Sequence, residues 1–109
     1  NAISSITGKN ILGTVADKLV QQGEKDSSKY LQLALDDLHE WKINHIAISV
    51  ECLNPKLSPK IDLMKQKIST ICKIKIADVG ITATSGEGLT AFGRGEGIQA
   101  ITIITVSKS

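Results

Sequence analysis

A strand pattern followed by a helix start constrains the fold of this chain most strongly. Residues 46–52 alternate between apolar positions and smaller or polar ones, which is the period of a strand with one face more buried. The apolar members of this alternation are Ile46, Ile48, Val50 and Cys52. Ser58 as N-cap and Pro59 at the first helical position then begin a helix. Its apolar stripe consists of Ile61, Met64, Ile68 and Ile71.

The remaining segments complete an α+β pattern. Residues 1–12 have the spacing of a helix that Gly13 ends, and residues 14–25 are predicted to be loop. Asp26 or Ser27 caps a second helix. Its apolar stripe is Leu31, Ala34, Leu35, Leu38 and Trp41. Two more strands are predicted at about residues 76–84 and 97–106. We therefore expect helices packed on one face of a mixed or antiparallel sheet.

Length and charge exclude several classes of function. The chain has 109 residues, which fits a single domain over residues 1–109. A net charge of +2 and only three aromatic residues provide neither a basic stripe nor a stacking platform, so we expect no nucleic-acid partner. The apolar run Ile98 to Val106 is too short to span a bilayer, and we expect no membrane partner.

Cysteine use and the start of the chain bear on its compartment. Cys52 and Cys72 have no Cys or His neighbour at zinc-ligand spacing, which favours free, largely buried thiols in a reducing cytosol. Because the helical spacing is already present at Asn1, we expect a further segment upstream. No signal or transit peptide is visible, so a bacterial cytoplasm is the default, with a plastid as the open alternative.

Two glycine-rich segments after the second predicted strand carry the functional signal. They are Thr84-Ser85-Gly86-Glu87-Gly88 and Gly93-Arg94-Gly95-Glu96-Gly97. Glycine lets backbone N–H groups approach an anion, hydroxyls add donors, carboxylates hold divalent cations, and arginine matches phosphate oxygens. This chemistry suits a diphosphate site. The alternative is a hairpin loop with solvated charges.

These segments, together with Asn54-Pro55-Lys56-Leu57-Ser58-Pro59, resemble the 2-C-methyl-D-erythritol 2,4-cyclodiphosphate synthase family of non-mevalonate isoprenoid biosynthesis. The resemblance implies that family's fold, which is related to the ferredoxin-like fold, and a homotrimer with active sites between subunits. It implies a lyase that turns 4-diphosphocytidyl-2-C-methyl-D-erythritol 2-phosphate into the cyclic diphosphate and CMP. A non-catalytic trimeric module that binds a nucleotide or diphosphate is the alternative.

The resemblance also assigns roles to residues. Ser85 takes the position of a catalytic hydroxyl, and Glu87 that of a carboxylate that holds Mg²⁺ or Mn²⁺. Arg94 either contacts substrate or pairs with Glu96 at the trimer axis. The segment that holds the cytosine comprises Cys52, Leu53, Asn54, Pro55, Lys56, Leu57 and Ser58. The other substrate-binding positions are Gly13, Asp17, Thr84, Ser85, Gly86, Glu87, Ala91, Phe92 and Arg94.

Several positions depart from the family pattern. The family's Zn²⁺ ligands, an Asp-x-His pair and a further His, are not in this chain, so we expect the 109 residues alone to be inactive. Ile11 stands where the family has an aspartate that holds the erythritol hydroxyls. The expected phenylalanine falls on Ala91, with Phe92 one place later. The two histidines, His39 and His45, are expected on the surface, the first on the second helix and the second at a strand edge.

Overall fold

A three-stranded mixed sheet with helices on one face forms the molecule in the computed structural model, which describes residues 1–10, 13 and 17–108. The helices are α1 (Ala2–Thr7), α2 (Asp17–Gln21), α3 (Ser27–Asp36) and α4 (Ile61–Cys72). The strands are β1 (Trp41–Glu51), β2 (Val79–Thr84) and β3 (Gln99–Lys108). Short 3-10 turns lie at Ser58–Lys60, Ile76–Asp78 and Gly86–Gly88. The predicted α+β class is confirmed.

The sheet places β1 at its centre, in the order β2-β1-β3. β1 pairs with β2 in parallel and with β3 antiparallel, and α4 connects the two parallel strands. Ile46 lies opposite Val79 on one side and Ile104 on the other, so these three apolar side chains form a row on the same face. This register brings the carboxyl ends of β1 and β2 to one edge of the sheet. The loop of residues 84–96, which contains the first glycine-rich segment and most of the second, begins there.

The core lies between this face and the helices. Ile3, Leu38, Ile43 and Ile46 form a buried cluster. Side chains from α3, α4 and β3 pack around it, and the ammonium of Lys108 lies 5.4 Å from the centroid of the Trp41 ring. The opposite face of the sheet is open, because Ile101 and Ile103 on β3 are 58% and 68% exposed.

The amino-terminal predictions were partly wrong. The first helix ends at Thr7, where Gly8 adopts a left-handed conformation (φ 77°), and not at Gly13. Residues 17–21, predicted to be loop, form α2. Of the residues around the expected helix end, Ile11, Leu12 and 14–16 lie outside the described residues.

The boundaries of later elements also differ. Trp41 begins β1 instead of ending the second helix, because α3 stops at Asp36. Leu57, and not Ser58, is the cap position of the 3-10 turn that precedes α4, and it makes no side-chain capping hydrogen bond. Strand β2 begins only at Val79, and β3 runs from Gln99 to Lys108. At the start of α3, Asp26 is the cap.

The histidines and cysteines lie close to where the sequence suggested. His39 is exposed, but in the turn after α3, at φ 49°. His45 is exposed in the central strand, beside the register shift at Ile43/His45, and not at a strand edge. Both cysteines are free, with Cys52 buried and Cys72 half-buried, and burial raises the pKa of the Cys72 thiol.

Candidate functional site

The candidate site forms where the chain leaves β1 and β2. The backbone N–H of Cys52 donates to the carbonyl oxygen of Thr84 at 3.0 Å, and the N–H of Leu53 donates to the carbonyl oxygen of Phe92 at 3.1 Å. The segment that follows β1 is therefore tied by its backbone to the first glycine-rich segment and to the residue that directly precedes the second. Three stretches that are distant in sequence meet at one edge of the sheet.

A cleft of about 390 Å³ opens between these stretches. One wall comes from the residues after β1, in which the Asn54-Pro55 peptide bond is cis, and the other comes from the end of β2. The lining residues are Cys52, Leu53, Pro55, Lys56, Leu57, Ser58, Pro59, Ala83, Thr84 and Ser85. The structure thus brings the predicted cytosine segment together with Thr84 and with Ser85, the predicted catalytic residue.

The first glycine-rich segment turns back on itself beside the cleft. Ser85 has right-handed backbone angles, and Gly86, Glu87 and Gly88 follow with φ values of 57°, 56° and 75°. A change from right-handed to left-handed angles is typical of backbone turns that bind anions with their N–H groups. The Gly86 N–H donates to the Thr84 hydroxyl at 3.0 Å, so this hydroxyl serves as an acceptor within the loop.

Glu87 projects from this turn as an exposed carboxylate. Magnesium is commonly held by one or two carboxylates together with substrate phosphates, and an exposed carboxylate beside a candidate phosphate loop fits that donor set. Zinc is different, because no group of three or more His, Cys, Asp or Glu side chains suited to a metal occurs in the part of the chain that the structure describes. The described residues therefore do not fit a zinc site.

The second glycine-rich segment lies next to the first. Arg94 and Glu96 form an ion pair with 3.3 Å between Nη2 and Oε2, and both side chains are more than half exposed. Ala91 is exposed, whereas Phe92 is half-buried with its ring against Gly97. The described cleft lining includes neither of them. The phenylalanine shift therefore places the ring beside the loop and not in the cleft.

Gly13 and Asp17 lie elsewhere. Gly13 is exposed, and its N–H donates to the Asn10 side chain at 3.4 Å. Asp17 is exposed at the start of α2. Neither contributes to the cleft within this subunit. The structure does not bring these two predicted substrate-binding positions together with the others.

A half-buried hydrogen bond behind the loop was not predicted from the sequence. Thr90 donates a hydrogen bond from its hydroxyl to the Glu51 carboxylate at 2.7 Å, although 39 positions separate these residues. Glu51 belongs to the polar side of the alternating strand pattern, and Thr90 lies between two glycine-rich motifs. Only the pairing of β1 with β2 could have indicated that they meet.

Comparison with known proteins identifies the family. The model of the YgbB family matches residues 1–107, nearly the whole chain. The chain belongs to the YgbB family. Within this family it is 48% identical over 110 residues to a protein of Chlamydia muridarum and 47% identical to one of Chlamydia caviae, both named 2-C-methyl-D-erythritol 2,4-cyclodiphosphate synthase. The matches cover 99% of this chain but 62% of each relative, so the chain spans less than two thirds of their length.

Solved structures of YgbB-like fold agree with the architecture. A Plasmodium falciparum IspF in complex with CDP superposes with a TM-score of 0.80 at 19% identity, covering 97% of this chain and 65% of the other. The bifunctional IspDF of Campylobacter jejuni gives a TM-score of 0.87 at 22% identity, covering 99% of this chain and 30% of the other. At these identities the likeness establishes the fold.

Proposed function

We propose that this YgbB-family chain forms the nucleotide-binding part of a cyclising phosphorus–oxygen lyase. The reaction converts 4-diphosphocytidyl-2-C-methyl-D-erythritol 2-phosphate into 2-C-methyl-D-erythritol 2,4-cyclodiphosphate and CMP. The observation that carries the proposal is the cleft that joins the Lys56 segment to Thr84 and Ser85. Support also comes from the relatives, which are named as this synthase, and from the CDP bound to the Plasmodium falciparum protein of the same fold.

In this proposal the chain acts by positioning and by neutralising charge. An oxygen of the 2-phosphate attacks the β-phosphorus, and the new P–O bond closes the ring. The bond from the β-phosphorus to the bridging oxygen breaks, and CMP leaves with that electron pair. The segment 52–58 holds the cytosine, with Lys56 at its centre, while the Ser85 hydroxyl donates to the phosphate oxygens.

Glu87 is the residue that we assign to a divalent cation. Mg²⁺ or Mn²⁺ bound there would supply positive charge to the diphosphate. Arg94 can bind a phosphate group only when its ion pair with Glu96 is replaced by a contact with the ligand. The exposed position of Arg94 on the loop permits this replacement. We assign no step to Zn²⁺, because the described residues build no site for it.

The open face of the sheet supports a homotrimer. Ile101 and Ile103 project away from the helices, beside the small residues Ala47 and Ser49 of the central strand. Neighbouring exposed apolar side chains on one sheet face are suited to a contact with another protein surface. We therefore infer that three copies cover this face together, and that residues such as Gly13 and Asp17 act in a site shared with a neighbouring copy.

The compartment is part of the same proposal. The curated relatives are bacterial, and both cysteines are free thiols, which suits a reducing bacterial cytoplasm. Among the described residues, no helix combines the length and the apolar character that a membrane crossing requires.

Product formation in a chimera would test the proposed reaction. The part of the Chlamydia muridarum relative that this chain does not match would be fused to the 109 residues, and phosphorus NMR would follow the substrate. We expect CMP and the cyclic diphosphate to appear, and Ser85→Ala in the chimera to slow their formation. We expect the 109 residues alone to form no product. A folded chimera that binds CDP but forms no product would favour the non-catalytic module.

A further inference from the structure

Glu51 connects the centre of the sheet to the glycine-rich loop. It is the last residue of β1, opposite Thr84 of β2 and Gln99 of β3. Side chains alternate along a strand, and the preceding Val50 is buried in the core, so Glu51 projects toward the opposite face. Its carboxylate is half-buried at the base of the loop.

The Thr90 hydroxyl links the Glu51 carboxylate to the second glycine-rich segment. Thr90 Oγ1 donates to Glu51 Oε1 at 2.7 Å, and the backbone N–H of Gly93 donates to Thr90 Oγ1 at 3.0 Å. The Thr90 hydroxyl is thus used both as donor and as acceptor, which fixes its rotamer. A hydrogen bond to a carboxylate is among the stronger ones in proteins.

Close packing continues the connection to Ser85. Gly93 is buried, and a Cβ placed on it would overlap the carbonyl oxygen of Ser85 and lie 3.2 Å from Gly88 Cα. A Cβ on Gly86, which has a left-handed φ of 57°, would overlap Glu51 Oε1. The carboxylate therefore touches the first glycine-rich segment directly and holds the second against it through Thr90.

We propose that Glu51 is a positioning residue that sets the loop 84–96 for the diphosphate of the ligand by way of Thr90. This inference rests on the proposed function. A negative charge near the phosphates would oppose their binding, so the contribution of Glu51 is the acceptor oxygen that orients Thr90. A side chain of the same shape without charge, glutamine, retains that oxygen.

Two readouts on the 109-residue chain test the inference. The first is hydrogen exchange of residues 84–96 without ligand, and the second is affinity for CDP with Mg²⁺. We expect Glu51→Ala and Thr90→Val each to speed exchange in the loop and to weaken CDP binding by roughly fivefold, the scale of one ordinary hydrogen bond. We expect Glu51→Gln and Thr90→Ser to restore both quantities to nearly wild-type values.

The control is Thr70→Val, which removes a hydroxyl that donates to the Gln66 carbonyl within α4, away from the loop. It should leave loop exchange and CDP affinity unchanged. The inference is overturned if Glu51→Ala and Thr90→Val leave either quantity at the wild-type value, or if Glu51→Gln is as harmful as Glu51→Ala. If the wild-type chain binds no CDP while its loop exchange still responds to these variants, the proposed function fails and the loop-ordering role of Glu51 stands.

Discussion

A diphosphate brings several negative charges to a loop that already contains Glu87. The exposed position of this carboxylate, on a left-handed turn between two glycines, makes sense if a divalent cation accompanies the ligand. Without a cation, Glu87 would repel the phosphates. The sign of its contribution to binding therefore depends on Mg²⁺, and that dependence can be measured.

We predict that Glu87→Gln removes most of the Mg²⁺ dependence of CDP binding. The affinity gained on adding Mg²⁺ should fall by roughly tenfold, because glutamine keeps the shape but is a weaker cation ligand. Calorimetric titrations of CDP with and without Mg²⁺ would measure this gain. Asp62→Asn, at an exposed carboxylate on α4, is the matched control. An unchanged gain in Glu87→Gln would contradict the role assigned to this residue.

At the scale of elements, helix α3 depends on its first cap. Asp26 accepts hydrogen bonds from the Ser28 backbone N–H at 3.0 Å and from the Ser28 hydroxyl at 2.7 Å. These two bonds hold the pKa of the Asp26 carboxyl below its ordinary value of 3.8. Because the folded-state pKa is lowered, the stabilisation by Asp26 is fully present above pH 3.8 and is lost as pH falls through the folded-state pKa.

We predict that Asp26→Ala lowers the thermal unfolding midpoint at pH 7 by about 4 °C, since one capping interaction is lost. The difference from wild type should shrink at pH 3. Thermal unfolding followed by circular dichroism at both pH values would show this. Asp26→Asn is the control, because asparagine caps well and does not titrate in this range. A difference between Asp26→Ala and wild type that is equal at both pH values would contradict the account.

Local patterns in the sequence predicted most elements, and failed where tertiary contacts decide. The stripe from Leu31 to Leu35 indicated a helix correctly, but Leu38 lies beyond the end of α3 at Asp36. Trp41 continues the same spacing and yet belongs to β1, where Lys108 of β3 lies over its ring. A period of 3.6 cannot distinguish the last turn of a helix from a turn followed by a strand. Helix α2 was not predicted, because the polar residues that follow it show no apolar stripe of helical spacing and the whole of residues 14–25 was therefore assigned to loop.

The sequence motifs predicted which residues belong to the candidate site, but not the contacts that hold those residues in place. The family resemblance implied ligand-binding roles for the segment 52–58 and for Thr84 and Ser85, and the structure places residues of all three along one cleft. The contact between Glu51 and Thr90 depends on the parallel register of β1 with β2, which no local spacing encodes. The side-chain positions of Ala91 and Phe92 likewise required the backbone of the loop.

At the scale of the whole molecule, the helices of the described residues lie on one face of the sheet and leave the other exposed. Ile103 is 68% exposed in the middle of β3, on the face opposite the core. Burying such a side chain contributes about 2 kcal/mol of favourable free energy. A trimer would bury three of these side chains, one from each copy. We therefore expect this face to be the contact between copies.

If the proposed trimer forms through this face, we predict that Ile103→Lys converts it to monomers, because a charge buried against apolar neighbours costs more than the contact contributes. Light scattering after size-exclusion chromatography would give the mass. Leu63→Lys, at a position that is 60% exposed on α4, is the matched control and should stay trimeric. A trimer that survives Ile103→Lys would show that this face is not the contact.

A calorimetric titration of CDP into the 109-residue chain, with and without Mg²⁺ and after its mass in solution has been determined, would show whether the cleft is a nucleotide site. We expect a trimer that binds CDP through the cleft at segment 52–58 and the loop at 84–87, and that binds it more tightly with Mg²⁺. A folded trimer that binds no CDP in either condition would contradict this expectation.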